Sequence, residues 1–144
     1  MSDEPQPLQF IDSNILVYAF DNSAGRKWEI ARSVLQACWQ NQTGCISIQV
    51  LQEFYVTVTR KIAHPLDLPT ARQIVSDLSY WKVAIPNADD VLEAIDWQQE
   101  HQLSFWDAMI LQSAIRCQCP SLLSEDLSHG HTYRRVRIFN PFLE

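Results

Sequence analysis

The chain has 144 residues, a formal net charge of −6 and a hydrophobic content of 47%. This length fits one ordinary domain with one substantial core, so we expect a single globular domain over residues 1–144. No apolar run approaches the roughly 20 residues of a membrane helix, and the acidic, proline-containing start does not resemble a signal peptide. We therefore expect a cytoplasmic protein without a membrane partner. The negative charge excludes nucleic-acid binding through bulk electrostatics alone, although carboxylates that bind cations would reverse the sign locally.

Strands and helices alternate along the whole chain. Apolar runs predict strands at 8–11, 45–48 and 82–86 and near residues 122 and 138. Helical spacing predicts helices at 15–20, at 26–40 with a stop at Gly44, from Ser47 to before His64, from residue 68, from Asn87 and at 104–117. Parallel strands need helical crossovers, so this alternation predicts an α/β sandwich with a largely parallel sheet.

Four carboxylates stand in or just beyond apolar runs, where an acid facing solvent is not expected. They are Asp12 in FIDSNILVY, Glu53 in QVLQEFYV, Asp107 in LSFWDAMILQ and Asp126 in SLLSEDLSHG. A buried carboxylate must be paired, hydrogen-bonded or bound to a metal, and the chain has no matching set of buried lysines or arginines. A divalent cation is the simplest common partner, and ligation by oxygen alone suits Mg2+ or Mn2+ rather than zinc.

The predicted layout brings these acids towards one another. Asp12 directly follows the first strand, and Asp126 closely follows the strand near residue 122. Both should therefore point into the crevice at the carboxyl ends of the strands, where open sheets hold ligands. Glu53 lies about two turns into the helix after the second strand, and Asp107 starts the helix before the strand near residue 122. We expect both to lean over the same crevice.

Each acid also has an ordinary structural interpretation. Asp12 would cap a helix, Asp126 would be a plain turn residue and Glu53 would be a solvated helix acid. Ser104 and Asp107 have the spacing of a capping box, in which the acid reaches back to the helix start. The arrangement of all four at matching ends of one sheet favours a shared site.

In kind and order, the segments DSNILVY, SIQVLQEF, LSFWDAMI and LLSEDL resemble those of PIN-domain ribonucleases, and more narrowly those of VapC-type toxins of bacterial toxin-antitoxin pairs. The resemblance implies a three-layer α/β/α sandwich similar to that of flap endonucleases. It assigns Asp12, Glu53, Asp107 and Asp126 to an acidic metal site, while Asn14 and Ser124 orient the acids or a metal-bound water. Many relatives have threonine in place of Ser124, a change that keeps the hydroxyl.

The function that this resemblance implies is hydrolysis of RNA phosphodiester bonds by one or two Mg2+ or Mn2+ ions. By family analogy, the products carry 5'-phosphate and 3'-hydroxyl ends, and transfer RNA and ribosomal RNA loops are the expected targets. The resemblance also implies a cognate antitoxin protein and a homodimer. We expect RNA specificity to depend on residues 60–70 and on the Arg134–Arg137 segment.

Three alternatives remain open from the sequence. A zinc site would use Cys117, Cys119, His129 and His131, but their spacings do not match the usual structural patterns. A PIN-like module would bind RNA or a protein without cutting. A flavodoxin-like signalling domain would need a central acceptor aspartate and a late lysine, neither of which is evident. We expect all four cysteines to be reduced core thiols, and most of the tryptophans to lie in the core or an interface rather than to stack on bases.

Overall fold

The computed structural model describes residues 6–143, so residues 1–5, which carry most of the acidic start considered above, lie outside the described part. Within this range, one sheet contains β1 (Gln9–Ile11), β2 (Gly44–Ser47), β3 (Lys82–Ala84), β4 (Ser121–Leu123), β5 (Thr132–Tyr133) and β6 (Val136–Phe139). The α-helices of the same range are α1 (Ser13–Ala19), α2 (Arg26–Asn41), α3 (Ile48–Arg60), α4 (Leu68–Leu78), α5 (Ala88–His101) and α6 (Phe105–Arg116).

The sheet is mainly parallel, as predicted, with the strand order β3-β2-β1-β4-β6-β5. Only β5, at one edge, runs antiparallel to its neighbour. From β1 the chain moves outward to β2 and β3, and it then returns to the other side of β1 at β4. The strand order therefore reverses between β1 and β4, and the crevice at their carboxyl ends is the position where such sheets hold ligands.

Helices cover the sheet in two groups. Helix α5 packs against α6, whereas α1 packs against α2 and α3, and α3 packs against α4. Strand residues such as Phe10, Leu122 and Ile138 are fully buried between these layers. The result is the α/β/α sandwich that the resemblance implied.

Most helices begin at a residue whose side chain accepts a hydrogen bond from the backbone of the first turn. The capping residues are Asp12 for α1, Ser47 for α3, Asp67 for α4, Asn87 for α5 and Ser104 for α6. These caps satisfy backbone N–H groups that the helix itself leaves without a partner. The predicted helix starts at Ser47 and Asn87 are confirmed.

Gly44 has a different role from the one predicted. Helix α2 ends at Asn41 and is followed by its C-cap Gln42, which takes the left-handed conformation with φ of 55°, while Gly44 is the first residue of β2. A Cβ atom on Gly44 would lie 2.4 Å from the ring of Trp81. The glycine is therefore needed for close packing against tryptophan rather than for stopping the helix.

Two further features complete the comparison with the sequence. All four cysteines are free and buried, which agrees with the expected reduced thiols. Across residues 6–143, the structure contains no helix with the length and apolar character needed to cross a membrane.

Candidate active site

Asp12 follows β1 and is the N-cap of α1. Its Oδ1 atom accepts a hydrogen bond from the backbone N of Ser13 at 2.7 Å, and its Oδ2 atom accepts one from the Ser124 hydroxyl at 2.8 Å. Burial raises the pKa of Asp12 to about 7, because these two hydrogen bonds offset only part of the loss of hydration, and the charges of Asp126 and Glu53 raise it further. The capping interpretation is correct, and the same carboxylate also lies within electrostatic reach of two other acids.

Ser124 is the buried hydroxyl that joins the two strand ends. It directly follows β4, as Asp12 directly follows β1. Because the last residues of these two strands are paired in register, Ser124 and Asp12 lie side by side. Besides donating to Asp12, its Oγ atom accepts hydrogen bonds from the backbone N of Asp126 at 3.2 Å and of Leu127 at 3.4 Å. One serine therefore orients Asp12 and shapes the turn that carries Asp126.

Asn14 holds Asp126 from the first turn of α1. Its Nδ2 atom donates to Asp126 Oδ2 at 3.0 Å, while its Oδ1 atom is buried without a hydrogen-bond partner among the described residues. Asp126 is exposed rather than buried, since it lies in the turn beyond the strand. Partial loss of hydration still raises the pKa of Asp126, and the charges of Asp107 and Glu125 raise it further.

Glu53 approaches the same crevice from α3. Its Oε1 atom accepts hydrogen bonds from the Ser13 hydroxyl at 3.3 Å and from Gln49 Nε2 at 3.4 Å. Burial raises the pKa of Glu53, these two bonds lower it, and the charges of Asp107 and Asp126 raise it again. Glu53 is thus half-buried and is not the solvated helix acid of the alternative interpretation.

Ser13 is a residue to which the sequence analysis assigned no role in the site. Its hydroxyl lies 3.3 Å from Glu53 Oε1 and 3.5 Å from Asp12 Oδ1, so it bridges two predicted acids. Its position between Asp12 and Asn14 was the available signal.

Asp107 stands in the first turn of α6. Its backbone N donates to the Ser104 hydroxyl at 3.1 Å. This cap is one-sided, in contrast to that of α5, where Asn87 and Asp90 complete a capping box. The Asp107 carboxylate is therefore not committed to the helix start, and its charge raises the pKa of both Glu53 and Asp126.

The neighbouring acid Glu125 differs from these four. It accepts a hydrogen bond from the Tyr18 hydroxyl at 2.7 Å and forms an ion pair with Lys27. Within residues 6–143, none of the four predicted acids forms an ion pair with lysine or arginine. Among the described residues, Asp12, Glu53 and Asp126 have hydrogen bonds but no cation to offset their charge, whereas the charge of Glu125 is balanced by Lys27.

The donor chemistry of this cluster suits a hard divalent cation. Carboxylate and amide oxygens are the ligands that Mg2+ and Mn2+ prefer, and the orphaned Asn14 Oδ1 adds a buried acceptor. As the side chains stand in residues 6–143, no three histidine, cysteine or acidic groups converge tightly enough to hold an ion. The same finding applies to the zinc alternative, in which His129 instead accepts a hydrogen bond from the backbone of Asn140.

A cavity of about 690 Å³ lies at the amino ends of the strands, opposite the acidic crevice. It is lined by Leu8, which precedes β1, by Pro120, which precedes β4, and by Arg134 and Arg135. These arginines therefore lie at the amino ends of the strands, away from the acids. The dependence of RNA specificity on the Arg134–Arg137 segment and on residues 60–70 stays a prediction.

Comparison with solved structures identifies the fold. A toxin-antitoxin complex from Klebsiella pneumoniae superposes with a TM-score of 0.69 at 22% identity, covering 93% of this chain and 98% of that chain. VapBC2 from Rickettsia felis, bound to a DNA fragment from its promoter, gives 0.63 at 17% identity, covering 91% and 96%. VapC20 from Mycobacterium tuberculosis, a sarcin-ricin loop cleaving toxin, gives 0.60 at 18% identity, covering 79% and 86%.

The family follows from the sequence itself. The family model of the PIN domain matches residues 10–134, which is most of the chain. The protein belongs to the PIN-domain family, and its fold is PIN-like. A search of curated proteins found no match.

Proposed function

We propose that this protein is the toxin of a VapC-type toxin-antitoxin pair, a Mg2+- or Mn2+-dependent endoribonuclease that acts in the cytoplasm as a single PIN-like domain over residues 1–144. The observation that carries the proposal is the linked set of polar contacts at the strand-order reversal. Ser124 holds Asp12, Asn14 holds Asp126, and Ser13 connects Asp12 to Glu53. Membership of the PIN-domain family supports it.

Four carboxylates would hold the metal: Asp12, Glu53, Asp107 and Asp126. When bound, a divalent ion supplies a water of lowered pKa and positive charge for in-line displacement at a phosphodiester. Ser124 keeps Asp12 oriented through its buried hydroxyl, and Asn14 holds Asp126 while its own Oδ1 is buried without a hydrogen-bond partner among the described residues. No covalent enzyme intermediate is needed, and the products would carry 5'-phosphate and 3'-hydroxyl ends.

The partners follow from the same proposal. RNA is the substrate, and transfer RNA and ribosomal RNA loops are the candidate targets; the similar protein from M. tuberculosis is described as a toxin that cleaves the sarcin-ricin loop. Two similar structures contain toxin with antitoxin, which supports a cognate antitoxin that covers the acidic crevice. We also propose a homodimer of two-fold symmetry.

Cleavage of a mixture of transfer and ribosomal RNA by antitoxin-free protein with Mn2+ tests the activity. Asp107→Asn and an EDTA control should both abolish cutting, because the substitution removes a metal ligand and EDTA removes the metal ion. Asp96→Asn, which neutralises an exposed acid on α5, is the matched control and should cut like the wild type. Equal cutting by Asp107→Asn would reveal a contaminating nuclease. No cutting by any protein would reject the proposed activity on these substrates and favour the non-catalytic PIN-like module.

A further inference from the structure

Trp106 is an exposed tryptophan directly beside a predicted catalytic acid. It is the second residue of α6, and Asp107 follows it immediately. Its exposed fraction is 62%, whereas Trp81 and Trp97 are buried at 9% and 8%. Tryptophan is highly buried on average, so the exposure of a tryptophan directly before Asp107 needs a reason other than core packing.

The backbone and ring of Trp106 are held in place. Gln49 Nε2 donates to the Trp106 carbonyl oxygen at 3.2 Å, and the same amide lies 3.4 Å from Glu53 Oε1. The indole ring packs edge-to-face against Phe105 with a centroid distance of 5.1 Å. The backbone of Trp106 is therefore tied to α3 beside Glu53, and its ring rests against Phe105. Binding of this ring to a flat partner would require little further ordering.

The charge of the site limits how RNA can be held there. Four acids line the crevice, and Arg134 and Arg135 lie at the other end of the strands, their amino ends. An aromatic face binds any unpaired base without using charge, and each stacked base strengthens binding by roughly 5- to 100-fold. Unpaired bases in loops and single strands are also the parts of RNA that proteins recognise through stacking.

We propose that Trp106 stacks on an unpaired base next to the scissile phosphate and so selects looped or single-stranded RNA. This inference rests on the proposed ribonuclease activity and adds a substrate-positioning residue to the same site. It assigns no role to Trp106 in the chemical step, which belongs to the acids.

Single-turnover cleavage of a short RNA, together with a scan in which each base near the cut is replaced by an abasic nucleotide, tests the proposal. Trp106→Ala should lower kcat/KM by about 5- to 100-fold on intact RNA, and Trp106→Phe should retain much of the rate. When the base that stacks on Trp106 is removed, kcat/KM of the wild type should fall to that of Trp106→Ala on intact RNA. The kcat/KM of Trp106→Ala should not change when the same base is removed. Trp39→Ala removes another exposed tryptophan, one that lines a separate cavity with Tyr80, and should behave like the wild type.

Several outcomes would overturn the inference. If Trp106→Ala lowers kcat/KM by the same factor on intact RNA and on RNA with any one base removed, Trp106 has only a structural role. An unchanged kcat/KM with weakened antitoxin binding would make Trp106 a protein contact instead. If the wild type cuts no RNA, titration of Asp12→Asn with single-stranded RNA still separates the two proposals. Quenching of tryptophan fluorescence that disappears with an added Trp106→Phe change would support stacking without cleavage, and quenching that persists would reject it.

Discussion

At the scale of single residues, Asp12 serves two purposes that the sequence presented as alternatives. It caps α1, and its carboxylate lies at the strand-order reversal beside Glu53 and Asp126. Asp12 can do both because it stands between β1 and α1. A residue at this point caps the helix and also lies at the carboxyl end of a central strand. Its capping bond from Ser13 therefore does not count against a role in the site.

The raised pKa of Asp12 makes the stability of the metal-free protein depend on pH. Its pKa is about 7 in the folded chain against 3.8 in the unfolded chain, so between these values the folded state binds the extra proton. The stability contributed by this proton is fully present below pH 3.8, the pKa of the unfolded chain, and is lost as the pH rises through the folded pKa of about 7. Urea denaturation in EDTA should give a lower free energy of unfolding at pH 8 than at pH 5, by on the order of 3 kcal/mol.

Asp12→Asn provides the control for this prediction. The amide keeps an acceptor for the backbone N of Ser13 but has no charge to bury. The variant should lose most of the pH dependence, match or exceed the wild-type stability at pH 8 without metal, and have no ribonuclease activity. A pH dependence as steep as that of the wild type would assign the effect to other groups.

Ser124 should matter for both activity and stability. Ser124→Ala removes the hydroxyl that donates to Asp12 and accepts from the turn of Asp126. We expect a loss of roughly 2 kcal/mol in unfolding free energy and a fall in kcat of about tenfold or more. Ser124→Thr keeps the hydroxyl and should restore most of the activity. Equal activity of the alanine and threonine variants would show that this hydroxyl does not position the acid.

At the scale of elements, the sequence predicted the three strands and two helices that place the acids, because each signal is local. Apolar runs ended by turn formers marked β1 and β4, and Ser47 and Ser104 marked helix starts. Strand β5 was missed because its two residues gain their structure from pairing with β6 rather than from any pattern of their own. The bridge made by Ser13 and the exposure of Asp126 were missed because both depend on how separate elements pack.

Gly44 gives the sharpest test of packing between elements. A Cβ atom there would meet the Trp81 ring at 2.4 Å, so Gly44→Ala should lower the unfolding free energy by about 1–3 kcal/mol. Adding Trp81→Leu should restore part of this loss, because it removes the clashing ring. Gly25→Ala is a contrasting variant, because nothing lies within 4 Å of its Cβ position but its φ is +63°. Backbone strain should destabilise it, and Trp81→Leu should not rescue it. If Trp81→Leu does not rescue Gly44→Ala, the clash with the ring is not the cause of the loss.

At the scale of the whole molecule, the net charge of −6 and the acidic crevice lead us to expect that divalent cations stabilise the fold. An ion that binds only the folded acids stabilises them by mass action, by about 2.7 kcal/mol at a hundredfold excess over Kd. Mg2+ or Mn2+ should therefore raise the melting temperature by roughly 5–10 °C. Double substitution of Asp12 and Asp107 by asparagine should remove the rise, and Asp96→Asn should keep it.

The size of this shift should itself depend on pH. The proton that Asp12 binds near pH 7 competes with the metal for the same carboxylate. The rise in melting temperature caused by a fixed concentration of Mg2+ should therefore be larger at pH 8 than at pH 6. Sodium chloride at matched ionic strength is the control and should give no such rise. A shift that is equal at both pH values would mean that the ion binds elsewhere on the acidic surface, away from the buried carboxylate.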